Sequence, residues 1–164
     1  MQLVKSYCSS PIGWFEITGS ELGVRTVFRC EKAGPDAALP PEHPVAVCRR
    51  QLEEYFGRSR TQFDIRIDWS GTPEFQQLVW KALLDIPYGE TVAYSDIANR
   101  IGHPKAVRAV GLANRNNPTA IIVPCHRVIG KAGELRGYFY GLDAKLLLLR
   151  HENPHRYAEQ GSLF

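Results

Sequence analysis

The spacing of apolar side chains changes near residue 71. Before it the period is two. "GWFEIT" and "LGVRTVF" mix β-branched and aromatic residues between glycines, and "FDIRIDW" sets Phe63, Ile65, Ile67 and Trp69 on one face and Asp64, Arg66 and Asp68 on the other. These segments predict strands. The prolines of "GPDAALPPEHP" predict a loop over 34–44. Cys48, Leu52, Tyr55 and Phe56 then recur at helical spacing, which predicts one helix with Gly57 as its cap.

After residue 71 the period becomes that of helices. Thr72 suits an N-cap and Pro73 a first helical position, ahead of a stripe of Phe75, Leu78, Val79, Ala82 and Leu83. "PYGE" reads as a turn. Ser95 is positioned to cap a short helix, "DIANRI", stopped by Gly102. Pro104 opens a second, "KAVRAVGLANRN", which ends before Pro118. Two short helices joined by "GHP" predict a helix-turn-helix. A glycine-rich loop follows "IIVPCHRVIG", and the last helix falls near 143–152, leaving "NPHRYAEQGSLF" as a frayed tail. The expected organisation is an α/β domain over 1–70 and a mostly α domain over 71–164.

Composition changes this picture little: 44% hydrophobic and 23% charged residues are ordinary for a globular chain of 164. No apolar run approaches the roughly 20 residues of a membrane span, and the first residues hold no secretory core. The expected location is the cytoplasm, without membrane association. Charge is more informative once divided. Residues 1–70 balance nine Lys/Arg against nine Asp/Glu. Residues 99–136 carry Arg100, Lys105, Arg108, Arg115, Arg127, Lys131 and Arg136 against the single acid Glu134. Such an excess suits a polyanion or, more plainly, a solvated face. The helix that bears Arg108 and Arg115 is otherwise built of small residues, Ala106, Ala109, Gly111 and Ala113. A mid-helix glycine costs about 1 kcal/mol against alanine, which points to a close approach by another backbone.

The four cysteines, at 8, 30, 48 and 125, show no metal-ligand spacing with the five histidines. No metal and no cofactor are expected. Cys125 stands beside His126, behind Pro124. A thiolate is a nucleophile and an imidazole can generate it. Neighbours in an extended chain point opposite ways, so the pair requires a turn to serve one cleft. It also requires an orienting acceptor, for which Glu152 is the candidate, on a helix rich in leucine. On spacing alone the constellation is weak, and a cysteine beside a histidine is more often structural.

"IPYGETVAYSDIA", "RAVGLANRNNP", "VPCHRVIG" and "GLDAKLLLLRHE", in that order, resemble the O6-alkylguanine-DNA alkyltransferases, over about Trp80 to Glu152; "SSPIGWFEIT" adds a weaker match before it. The resemblance implies an RNase H-like N-terminal domain and a C-terminal helix-turn-helix domain. It implies direct-reversal repair of double-stranded DNA bound through the minor groove, by a monomer acting once per molecule. Cys125 would accept the alkyl group from O6-alkylguanine, with O4-alkylthymine as a further candidate substrate. His126 would be the base, acting through water, with Glu152 holding the ring and Asn117 bonding the backbone of the active-site turn. Tyr94 would flank the lesion, rotate the phosphate and help guanine leave. Arg108 would fill the gap left by the flipped base. Ala106, Val107 and Gly111 would approach the groove. Ser95 is a further candidate DNA contact, and His103, at the turn between the two helices, is a candidate for a phosphate. Tyr138 would form part of the base pocket, with Phe139, Tyr140, Val128 and Lys131 near it.

The chain departs from its bacterial relatives in the pocket loop, where "GYFYG" puts Phe139 and Tyr140 in place of an arginine and a tryptophan. Altered tolerance of large alkyl groups is expected. Mammalian members bind zinc in the N-terminal domain, but only Cys8 matches their ligands, so no zinc is expected. Cys30 and Cys48 are expected to be buried core thiols, Trp14, Trp69 and Trp80 core residues, and His43, His103, His151 and His155 surface or capping residues. Two other readings compete: a helix-turn-helix protein that binds damaged DNA without chemistry, which Cys125 argues against, and a cysteine hydrolase, which needs no Arg108 helix.

Overall fold

The computed structural model describes residues 2–157, which divide into two compact units. The first runs to Gly71 and takes in Pro118–Ile122; the second holds Thr72–Asn117 and the chain from Val123 on. The return of 118–122 has no signature in the apolar pattern.

In the first unit, β1 (Val4–Ser10), β2 (Gly13–Ser20) and β3 (Gly23–Cys30) form an antiparallel sheet in that order. The sheet buries Cys8, Phe15, Ile17, Val24 and Val27 on the face covered by α1 (Pro44–Phe56). That helix presents Val45, Cys48, Leu52 and Tyr55, all fully buried, at the three- and four-residue steps that keep side chains on one stripe. The "FDIRIDW" segment is not a strand of this sheet. It runs extended and touches β3 through one parallel bridge, Val24 to Ile67, with bonds from Val24 N to Arg66 O (2.8 Å) and Asp68 N to Val24 O (2.9 Å). A side chain at Gly23 (φ +151°) would meet Arg66 O at 2.8 Å, so a glycine there lets the segment come close. On the other side of β3, Val27 N donates to Pro118 O (2.8 Å) and Ala120 N to Val27 O (3.3 Å).

Several expectations need correction here. Gly57 closes α1 but at φ −77°; the left-handed residue is Arg58, at φ +65°. Arg58 N donates to Tyr55 O and Ser59 N to Glu54 O, the paired bonds of a Schellman cap. Cys30 is half-buried at the end of β3, not a core thiol, whereas Cys48 is fully buried. Trp14 and Trp69 are half-buried; Trp80 alone of the three is in the core. His43 does cap α1, its Nδ1 accepting from Val45 N.

The second unit contains α2 (Glu74–Leu83), β4 (Val92–Ala93), α3 (Tyr94–Arg100), α4 (Val107–Arg115), a 3-10 turn at Cys125–Arg127, β5 (Val128–Ile129), α5 (Leu142–Glu152) and α6 (Pro154–Tyr157). Helix starts differ from the sequence reading. Pro73 is the N-cap of α2, not its first residue. The cap of α3 is Ala93, whose N–H is taken by the Asp96 carboxylate (2.8 Å), so Ser95 lies inside the first turn. Helix α4 begins at Val107, because residues 103–106 form a turn closed by Ala106 N on His103 O. The tail is not frayed as far as Tyr157, which is buried in a helical turn; the rest of it lies outside the described residues. Helices α2 and α4 are tied by Trp80 Nε1, which donates to Ala113 O (2.9 Å). Parallel pairing of β4 with β5 sets Val92 beside Val128 and so brings the start of α3 next to the turn that carries Cys125. Among the described residues no helix is long and apolar enough to cross a membrane.

Candidate active site

Pro124 lies inside a buried run that continues over 119–130 and caps the 3-10 turn, in which Cys125 N donates to Val123 O (2.8 Å) and Arg127 N to Pro124 O (3.0 Å). The turn takes Cys125 and His126 out of extended geometry, where they would diverge. Two asparagines brace it. Asn117 Nδ2 donates to Val123 O (2.8 Å) and lies 3.2 Å from Cys125 Sγ; Asn114 Nδ2 donates to Cys125 O (3.2 Å). Both come from the end of α4 and the residues just after it, so the turn that carries Cys125 is built onto that helix.

Cys125 is 5% exposed, more enclosed than an open thiol. Burial pushes the thiol up, while the Asn117 donor and the Lys145 ammonium pull it down. His126 is fully buried. Its Nε2 meets Glu152 Oε2 at 2.7 Å, and its Nδ1 has no protein partner among the described residues. Burial holds the imidazole below its usual range against the pull of Glu152. Burial also pushes Glu152 up, but His126 and the Arg127 guanidinium outweigh it and hold the carboxyl well below the usual carboxylate range. The ring is therefore neutral, its proton on Nε2 and its Nδ1 an acceptor.

Three groups absent from the sequence-level site complete the cluster. Arg127, there counted in a basic excess for a polyanion, is buried: Nε donates to Glu152 Oε1 (2.8 Å), Nη2 to Oε2 (3.0 Å) and Nη1 to Ile86 O (2.7 Å). Lys145 is fully buried too, its Nζ reaching Val128 O (2.5 Å) and Arg136 O (2.6 Å) and lying 5.8 Å from the centre of the Tyr94 ring. Burial pushes its ammonium down to about 8. Asn114 is the third. A signal for Lys145 did exist: Lys145, Leu149 and Glu152 sit on one face of α5, at four- and three-residue steps. Arg127 had none, since nothing local separates a surface arginine from one that meets a carboxylate 25 residues on.

Tyr94, at the first turn of α3, donates its hydroxyl to Arg136 O (3.0 Å); burial pushes its phenol up to about 12, so it keeps its proton. Its ring walls a groove of about 390 Å³ shared with Val107, Arg108, Gly111, Leu112, Arg115, Arg136 and Gly137. Val107, Arg108, Leu112 and Arg115 are exposed along α4, and Ala106 is half-buried at its cap. Ser95 is half-buried, and exposed His103 stands with its ring 6.1 Å from that of Phe75. In the loop after the turn, Tyr138 is 7% and Phe139 57% exposed; the Tyr140 ring packs edge-on to both, at 5.7 and 5.1 Å between centroids. Val128 is wholly buried, paired with Val92 of β4, and its carbonyl accepts from Lys145 Nζ. Lys131 is exposed.

Residues 3–69 match the family described as "6-O-methylguanine DNA methyltransferase, ribonuclease-like domain", and residues 74–154 the one described as "6-O-methylguanine DNA methyltransferase, DNA binding domain". A protein of Methanosarcina acetivorans named methylated-DNA–protein-cysteine methyltransferase is 51% identical over 147 residues, covering 87% of this chain and 94% of its own. The crystal structure of the O6-methylguanine methyltransferase of Mycobacterium tuberculosis superposes with a TM-score of 0.80 at 43% identity, over 93% of this chain and 94% of that one. A structure of the M. tuberculosis protein in complex with DNA gives 0.80 at 44% identity, over 90% and 91%.

Proposed function

The chain belongs to the 6-O-methylguanine DNA methyltransferase family, and from that premise we propose that it repairs DNA by moving an alkyl group from O6 of guanine to Cys125 Sγ, once per molecule. The observation that carries this reading is the set Asn117, Cys125, His126 and Glu152, in which a nearly enclosed thiol has a donor at its sulfur and, next in the chain, a buried imidazole held by a carboxylate.

The proton of the Cys125 thiol passes to His126 Nδ1 through a water. The thiolate attacks the sp³ carbon on the lesion's O6. As the S–C bond forms the C–O6 bond breaks, and its electron pair enters the purine. The guanine leaves with a proton from the Tyr94 hydroxyl, which turns from Arg136 O to the base; a phenol held near 12 is a donor and not an anion at neutral pH, so it regains a proton from solvent as His126 gives up the one it took from the thiol. The product is a thioether. Water does not hydrolyse it, so the protein does not turn over.

On the DNA side, α3, the turn at 101–106 and α4 act as a helix-turn-helix, with α4 along the minor groove. A modified guanine must leave the stack to reach Cys125, at a cost of a few kcal/mol, lower for a badly paired base. Arg108, exposed on α4 beside the groove, takes its place in the duplex. Gly111 and Ala106 let the backbone come near, and Arg100, Lys105, Arg115 and Arg136 meet phosphates without reading sequence. The protein works as a monomer without cofactor. In the test, Cys125→Ser is expected to bind a duplex containing O6-methylguanine as the wild type does and to gain no methyl by mass. Methyl gained by the serine variant would refute the assignment of Cys125.

A further inference from the structure

Buried charge inside the second unit does not stop at the histidine and its carboxylate. Arg127 places two nitrogens on the two oxygens of Glu152, a paired, planar contact, while its third nitrogen is anchored on Ile86 O and its face lies 5.7 Å from the Tyr88 ring. Gly89 N adds a donor to Glu152 Oε1 (3.2 Å). Glu152 is thus saturated and balanced before His126 contributes anything. The geometry points to Arg127 as a positioning residue of the reaction: it fixes Glu152 and cancels its charge, so that the resting imidazole stays neutral and Nδ1 remains available for the proton of Cys125. This deepens the reading of His126 as the base and rests on it.

A buried group of side chains resists net charge. With Arg127 present, carboxylate and guanidinium sum to zero and the ring needs no proton. Without it the carboxylate is left to His126, which takes a proton from solvent and holds it. A ring already protonated cannot accept the thiol proton, so the thiolate forms only at higher pH. The charged groups facing His126 are Glu152 and Lys145 from α5 and Arg127 from its own turn; α2, which packs on that turn, buries only Val79, Trp80 and Leu83. Lys145 is common to both situations and does not alter the sign.

The test reads the thiol without DNA. Full-length wild type, Arg127→Met and Arg127→Lys are alkylated with iodoacetamide across pH, and modification of Cys125 is followed by peptide mass. In the Met variant the acid limb of the profile is expected to move up by about one unit, so that at a pH on that limb alkylation falls about tenfold. The Lys variant, which keeps the charge but not the paired contact, is expected to keep the wild-type midpoint. An acid limb that stays put in Arg127→Met, with a uniform loss of rate at every pH, overturns the proposal and leaves Arg127 a structural residue. Ring-nitrogen NMR of wild-type His126 adds a check that does not depend on the folding of the Met variant. A neutral ring protonated on Nε2 at neutral pH is required, and an imidazolium in the resting protein overturns the proposal. Failure of methyl transfer from DNA with these results intact would count against the proposed substrate and not against Arg127.

Discussion

Tyr140 packs edge-on to both Tyr138 and Phe139, so the loop after the active-site turn carries a connected aromatic group of which Phe139 stands out into solvent. Removing the middle ring frees the other two. Tyr140→Gly is therefore expected to change the ratio of benzyl to methyl transfer rates, measured on duplexes carrying either lesion; an unchanged ratio means that the ring does not gate the pocket. At this scale the sequence was legible where residues act as chemical types. The histidine beside Cys125 and the glutamate on the leucine-rich helix do meet, at 2.7 Å. It was not legible where a charge changes meaning on burial. Arg127 and Lys145 look like solvated cations in the string, and only the fold reveals that each is sealed against acceptors.

Two helices make predictions of their own. The C-cap of α1 places Arg58 in the left-handed region, where a side chain costs energy that glycine avoids. Arg58→Gly is expected to raise stability by about 1 kcal/mol, seen as a higher urea midpoint; a fall would mean that the arginine side chain contributes more than the strain removes. In α4, a Cβ on Gly111 would meet nothing nearer than Tyr94 Cδ1 at 3.9 Å. Packing does not require the glycine, so Gly111→Ala should stabilise by up to about 1 kcal/mol, whereas Gly111→Glu should fold and lose DNA affinity. Unimpaired binding by the glutamate variant would remove α4 from the DNA face. Element types followed from periodicity most clearly in α1 and α2, which each show one apolar stripe. Boundaries did not: Ser, Thr and Pro cap signals misplaced the starts of α2, α3 and α4 because backbone turns and the Asp96 carboxylate supply those caps instead. The alternation of "FDIRIDW" was real in burial, but its backbone finds a single bridge in place of a ladder.

For the molecule as a whole, the buried cluster sets the response to acid. Glu152 has a folded pKa below its unfolded value, so its contribution is complete above about 4.5 and is lost as pH falls toward the folded pKa. His126, depressed from 6.5 by burial, acts in the same direction: the unfolded chain takes its proton first, and stability starts to decline near that pH. Denaturant midpoints are expected to fall steadily from about pH 6.5 downward, and Glu152→Gln to be less stable at neutral pH but flatter in acid. An equal acid slope in the two proteins would show that the carboxylate is not held as described. The return of 118–122 to the first unit is the whole-molecule feature that local periodicity could not reveal, because it depends on bonds to Val27 some 90 residues earlier. The proposed activity of the whole molecule is a single irreversible transfer to one sulfur. Incubating the protein with excess duplex containing O6-methylguanine and weighing it over time is its most direct test. One methyl per molecule, located on Cys125, with guanine restored in equal amount, is the predicted result; continued repair beyond one equivalent, or a methyl elsewhere, would contradict it.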